Sequence, residues 1–392
     1  MGKIIEMISD CYEQGYSTQQ FKDMVISKLT PLFSNKDNAE KYWTTAEMLS
    51  VFEFIIRYHY DETFMKLLQE VLATYRTALA RDSEMVMQVI CSSLFDFSQK
   101  ENMMWTVREN VKQVDSDDFD ESVIRYMKHI GDTLEIGTKH IIAELYAIVL
   151  IADGKTPDYE KIQRLDFGVN IGNILAQEKF QGMLRTDPID IKLSDWRNIA
   201  YHHTYRIIDK DTIACTYGKK QETFSISFNE LTQYTHQIVK ASNIINIARC
   251  IFVFDYDKEI ANYQGAQAHM PVRFRPAILE ENLRTSMMSM EFYLSKVRVD
   301  DTSAVAEITD LRNNGALGKD EQIMRHIHAS QFLYHLWNTY EKKKVCIEYY
   351  SASGQCIFSC SVDGTVCERI GRDKELAYMA QFVSFEYRVE DK

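Results

Sequence analysis

Proline and glycine are scarce, with 5 Pro and 15 Gly in 392 residues. So few chain breakers exclude a collagen-like or disordered chain, and together with plentiful Leu, Ile, Met, Glu and Lys they favour long helices. Long apolar runs are lacking too. The most apolar stretch, His140 to Ala152, is too short to cross a bilayer and contains Glu144. The opening MGKIIEMISD has no secretory apolar core, and Glu6 stands where a myristoylation signal needs Ser or Thr. These features predict a cytoplasmic chain with no membrane partner.

Several chemistries lose their signatures. Neither GxGxxG nor GxxxxGK[ST] occurs, so there is no glycine-rich phosphate cradle, and GxSxG and HExxH are also missing. The 8 cysteines form no CxxC, and their one cluster, Cys356, Cys360 and Cys367, has no histidine at zinc-ligand spacing. Strand-like alternation there puts Cys356, Phe358 and Cys360 on one face, as core thiols. No metal or cofactor is expected. Positive charge is short as well: the net charge is −12 and the pI about 5.4. This excludes broad, non-specific nucleic-acid binding; an RNA enzyme of this balance must concentrate cations locally or take its substrate from a partner.

What is present is helical periodicity. A chain of 392 residues calls for two or three domains. Residues 1–115 read as an antiparallel helical stack, with stripes such as Ile4, Ile5, Ile8, Cys11, Tyr12 and Phe21, Met24, Val25, Leu29, Leu32. Its later segments run Thr45 to His59, Glu62 to Ala80, Ser83 to Phe97 and Met103 to Val114. Asp115-Ser116-Asp117-Asp118 reads as a linker leading into a helix N-terminus. Residues 119–257 open with a long helix, Phe119 to Ala152, then one from Phe167 to Phe180 and a short one from Gln181 to Arg185. A further helix opens at Ser194 or Asp195, both good caps. Tyr205 to Phe228 alternates as two or three short strands, and Asn229 caps a long helix from Glu230 to about Phe254. Residues 258–392 read as an α+β domain: strands over Ser289 to Val299, Val345 to Tyr350, Gln355 to Val362 and Phe382 to Val389, with a helix from Asp320 to Lys343 burying Ile323, Ile327, Phe332, Leu333 and Leu336. The fold class expected is therefore mainly α, with a small β insertion in the middle and an α+β end.

The chemistry-bearing stretch is Asp195-Trp196-Arg197-Asn198-Ile199-Ala200-Tyr201-His202-His203-Thr204-Tyr205. Trp196, Ile199 and Ala200 can pack inward while Arg197 and Asn198 face a groove. An imidazole suits proton transfer near neutral pH, and a guanidinium presents a fork of donors to phosphate oxygens. Such a pair fits RNA cleavage, in which the substrate's own 2′-hydroxyl attacks the adjacent phosphodiester and no metal-activated water is needed. By spacing alone an Arg and a His so close also describe an ordinary surface helix end. Elsewhere, Arg312-Asn313 has no His at suitable spacing and reads as a loop, and Arg325-His326-Ile327-His328 reads as a solvated helix face at the edge of a core.

The segment RNIAYHH followed by TYRI resembles the R-x(4–6)-H motif of HEPN domains, and the order of elements over residues 119–257 is similar to that family, most of all to its bacterial defence and abortive-infection branches. The resemblance covers about a third of the chain. It implies a HEPN helical bundle with a β-hairpin insertion, Arg197 and His202 as catalytic residues, Asn198 orienting the arginine, and His203 as the alternative imidazole at the longer spacing. His202 is favoured by its Ala-x-His context. Glu135 and Lys139 resemble an E-x3-K motif of some branches but read more readily as a solvated helical ion pair. The resemblance further implies a homodimer in which two motifs share one cleft. The function expected is a metal-independent endoribonuclease, a bacterial toxin or antiphage-defence effector acting on RNA such as tRNA, with an inhibitor or sensor protein as a further partner. The alternatives are a catalytically silent HEPN scaffold for dimerisation and partner binding, or an adaptor whose first 115 residues bind a protein.

Overall fold

The computed structural model describes residues 2–112, 118–263, 274–312, 318–370 and 375–388. The chain is mainly helical, with a separate sheet-containing C-terminal region. It divides into two compact units. A split unit gathers Met1–Pro31, Ala39–Phe54 and Arg275–Lys392; a central unit holds Leu32–Asn38 and Ile55–Phe274. The expected helical domain over 1–115 is therefore not one body. Gly2–Glu13 and Thr18–Leu29 belong to the split unit, whereas Glu62–Arg81 and Ser83–Lys112 belong to the central one. Amphipathic periodicity shows that a helix has an apolar face but not which partner covers it. The expected linker residues 115–117 lie outside the described residues; Asp118 caps the next helix, accepting from the Glu121 amide at 2.9 Å.

In the split unit, five strands are ordered Ser384–Tyr387, Cys356–Asp363, Lys344–Tyr350, Ser303–Asp310, Phe292–Val299. All neighbours are antiparallel except Ser303–Asp310 with Lys344–Tyr350, which are parallel. The chain between those two includes the helix Lys319–Tyr340, as a parallel pair requires a crossover. The core joins Leu294, Ala306, Ile308, Ile347, Phe358 and Val362 to Phe332, Leu333 and Leu336. Ser303–Asp310 has no counterpart in the sequence reading; Ala304 and Ala306 on its inner face are too small to mark a period. Ile323 and Ile327, expected inward, are 48% and 40% exposed. The helix is turned so that Arg325 points in instead, correcting its reading as a solvated residue. Its Nε and Nη2 meet Asp310 at 3.0 and 2.9 Å. Cys360 and Cys367 are core thiols, but Cys356 is only partly buried because a register shift places it opposite Tyr350.

The first helices join this unit through polar contacts no local pattern announces. Tyr12 Oη donates to the Ser289 carbonyl at 2.6 Å, and Arg312 reaches Glu291 and Thr18 at 2.8 Å each.

The central unit is a helical bundle. One continuous rod runs from Phe119 to Ala152, but six of its residues, Thr133–Thr138, are wound as π-helix. Thr138 Oγ1 donates to the Thr133 carbonyl at 2.9 Å and lies 2.9 Å from Ser242 Oγ, which holds the wide turn in place. Ser83–Lys112 is a single helix of 30 residues rather than the two expected; the polar run Gln99-Lys100-Glu101-Asn102 interrupts its stripe without breaking it. The helix expected over Phe167 to Phe180 ends at Ile174, with a 3-10 turn at Glu178–Phe180. Tyr205–Ile207, Thr212–Tyr217 and Glu222–Ser227 form a three-stranded antiparallel meander.

Phe228–Asp255 starts from Ser227, not Asn229, in a reciprocal capping box with Glu230. Among the described residues it is the one helix long and apolar enough to cross a membrane, yet half of that apolar window is buried within the bundle. Arg249 on it donates to Glu144 on the rod at 2.8 Å, and Tyr75 Oη reaches the same carboxylate at 2.7 Å. Ser93 donates to it as well. Four helices are thus tied around one buried ion pair.

Candidate functional site

The motif stretch forms a short helix, Leu193–Tyr201, directly after the two-residue strand Ile191–Lys192. Neither Ser194 nor Asp195 is its cap. Lys192 occupies that position without a side-chain hydrogen bond, because the strand pairing of Lys192 with Arg185 already sets the direction of entry. Ser194 is buried, and burial raises the Asp195 carboxyl above its ordinary range.

Trp196, Ile199 and Ala200 do turn inward. Trp196 is fully buried, its Nε1 donates to Thr186 Oγ1 at 2.8 Å, and its ring lies 5.4 Å from Tyr234 and 5.8 Å from Phe224. On the other side, Gly131 of the rod admits the helix closely: a Cβ there would stand 3.0 Å from Tyr201 Cδ2 and 3.4 Å from Ala200 Cβ. Both contacts fix which way Arg197 points.

Arg197 is 23% exposed and is held by three acceptor contacts. Its Nε and Nη2 approach Glu135 Oε2 at 2.8 Å, and Nη1 donates to Asn198 Oδ1 at 3.1 Å. The guanidinium also lies 5.2 Å from the centre of the Tyr201 ring. Of five N–H donors, some stay available to an incoming oxygen. Glu135 comes from the π-helical stretch, and its other oxygen accepts from Lys139 Nζ at 2.8 Å. It is therefore more than a solvated helical pair; the carboxylate bridges two cations from separate elements. Burial pushes the Glu135 carboxyl up, but hydrogen bonds and charge from Lys139 and Arg197 win and hold it below the ordinary range. Lys139 and Asp132–Lys128 (2.6 Å) add charge along the same rod.

His202 is the C-cap of the motif helix, its amide donating to the Asn198 carbonyl at 2.9 Å. His203 follows in the left-handed region at φ +52°. The Thr204 amide then reaches back to the Ile199 carbonyl at 3.1 Å, the six-to-one closure of a Schellman turn. Thr204 and Thr216 bond to each other at 2.7 and 2.8 Å, so the two histidines sit on a turn pinned between helix and meander. Both are exposed, and neither imidazole makes a hydrogen bond among the described residues. The structure thus brings together Arg197, Asn198 and Glu135 in direct contact, and puts His202 and His203 at the exposed end of the same helix without a hydrogen bond to Arg197.

In comparisons with known proteins, no family model, no curated sequence and no solved structure matches this chain. Glu135 as a partner of Arg197 escaped the sequence reading, because the two lie 62 residues apart. The E-x3-K spacing was the only signal pointing to it. No group of three or more His, Cys, Asp or Glu side chains among the described residues could hold a metal ion.

Proposed function

We propose that the central unit is a HEPN-type endoribonuclease acting on RNA. Arg197 carries this reading: a partly exposed guanidinium braced by Glu135 and Asn198, with exposed histidines at the end of its own helix. Bracing removes rotamer freedom before the substrate arrives, which is how a positively charged group becomes useful to a phosphate oxygen. In the reaction the 2′-oxygen bonds to phosphorus and the 5′-oxygen leaves. His202 accepts the 2′-hydroxyl proton, and an imidazole of the pair returns a proton to the leaving oxygen. The products are a 2′,3′-cyclic phosphate and a 5′-hydroxyl. Arg197 neutralises the charge that builds on the phosphoryl oxygens. A second copy of the chain, presenting its own motif helix across a two-fold axis, completes the cleft, and the protein serves as a toxin or antiphage-defence effector in the cytoplasm.

Cleavage of end-labelled RNA tests this. Arg197→Ala and His202→Ala should each lower cleavage by about a hundredfold or more while the chain stays folded by circular dichroism. RNA with 2′-deoxy residues should resist. Equal cleavage by wild type and both variants would overturn the nuclease reading. Loss of self-association without loss of cleavage-dependent growth arrest would argue against the shared cleft, and an inert protein that still dimerises would favour the scaffold.

A further inference from the structure

Glu135 and Lys139 also line a cleft of about 250 Å³, wholly within the central unit, walled further by Asp96, Lys100, His140 and Asn170. It is smaller than the roughly 300–1,000 Å³ that hold drug-sized ligands, so its natural occupant is no larger than one planar base. Three of its polar groups lack partners. Asn170 is 1% exposed; its Nδ2 donates to the Ile162 carbonyl at 3.2 Å, which leaves Oδ1 as the unpaired end. The His140 ring nitrogens are shut off from solvent without a hydrogen bond of full geometry, the Ile136 backbone being a weak contact only. Lys100 makes no hydrogen bond or ion pair among the described residues.

Buried polar groups are nearly always paired, and one left alone is costly. Two such side chains lining one cleft, with an unpaired cation beside them, form an arrangement suited to a ligand. The imidazole is neutral: burial, then the charges of Arg249 and Lys100, push its pKa down to about 3. A neutral imidazole has one N–H donor and one acceptor, and Asn170 Oδ1 adds an acceptor. A donor beside an acceptor complements the Watson–Crick edge of a nucleobase, where a ring nitrogen or carbonyl stands next to an N–H.

We propose that this cleft binds one nucleobase of the RNA, with its edge against His140 and Asn170 and its phosphate towards Lys100. The proposal rests on the RNA reading. It links the base to the phosphate-binding Arg197 through Glu135, which lines the cleft and whose carboxylate touches both Lys139 and Arg197. The unpaired atoms sit just behind the cleft wall, so the His140 and Asn170 side chains must turn slightly to close on the base.

Titration calorimetry with adenosine 5′-monophosphate tests it, beside ribose 5-phosphate, inorganic phosphate and purine riboside 5′-monophosphate. Purine riboside keeps the ring but lacks the amino donor. Adenosine monophosphate should bind, purine riboside monophosphate about tenfold more weakly, and the two base-free phosphates more weakly still. His140→Phe, which keeps the ring beside Phe97, should abolish the preference for adenosine, and Lys100→Gln should weaken binding of every nucleotide. Melting curves check the folding of both variants; if His140→Phe fails to fold, Lys100→Gln and the ligand series on wild type still decide. Equal binding of phosphate and nucleotide, or no binding at millimolar concentration, overturns the base site. Arg197-dependent RNA cleavage without base preference sinks this proposal alone. Base-selective binding without any RNA cleavage keeps the cleft and sinks the nuclease.

Discussion

His203 adopts φ +52° at the end of the motif helix, a conformation that costs a residue with a Cβ roughly 1–2 kcal/mol. Glycine is the usual occupant of that helix-end position. His203→Gly should therefore raise stability by about 1 kcal/mol in urea unfolding, provided its imidazole contributes nothing to the fold. The same variant separates the two histidines. If His202 is the proton acceptor, His203→Gly keeps RNA cleavage within a fewfold of wild type. A loss as deep as that of His202→Ala would transfer the role to His203. The residue types of the site were legible from RNIAYHH alone, and so was the inward packing of Trp196, Ile199 and Ala200. What holds Arg197 was not, because Glu135 reaches it through space from a different helix.

Between elements of the central unit, the buried pair Glu144–Arg249 ties helices together, with side chains 1% and 4% exposed. Removing one partner strands the other charge in the bundle. Arg249→Leu should cost about 3–5 kcal/mol, and Glu144→Leu combined with Arg249→Leu distinctly less, as measured by chemical denaturation. A double variant as unstable as the single one would refute this account. The same level shows why sequence reading succeeds for helices and falters at their joints. Stripes such as Phe21, Val25 and Leu29 are local and survive in the structure. The π-helical turn at Thr133–Thr138 leaves the apolar pattern nearly intact, so nothing in the periodicity separates it from α-helix. On Lys319–Tyr340 two stripes compete, Ile323–Ile327 and Arg325–Ala329, and the ion pair with Asp310 decides for the second. Hydropathy alone favours the first.

Across the molecule, titration of buried groups sets the response to pH. An unfolded His140 takes up a proton below its ordinary value of 6.5, whereas the folded imidazole resists down to about 3. In that interval the unfolded chain holds more protons, so stability falls as pH falls, by at most about 1.4 kcal/mol per unit from this one group. Glu135 acts in the same direction lower down. Its folded value lies below the ordinary 4.5, so its contribution is present above 4.5 and is lost as pH drops through the folded value. Melting temperatures should fall from pH 7 to pH 5, and His140→Phe should flatten that slope. An identical slope in the variant would remove His140 as the cause.

The split unit is assembled from both ends of the sequence, with the central unit spliced between them. On a ribosome adding roughly 5–20 residues per second, the first 54 residues wait on the order of ten to forty seconds before their sheet partners begin to emerge. The motif-bearing bundle is complete just as those partners begin to emerge. Birth order alone therefore delivers a folded Arg197 and His202 while the earliest helices still expose the apolar stripes that a holding chaperone would recognise.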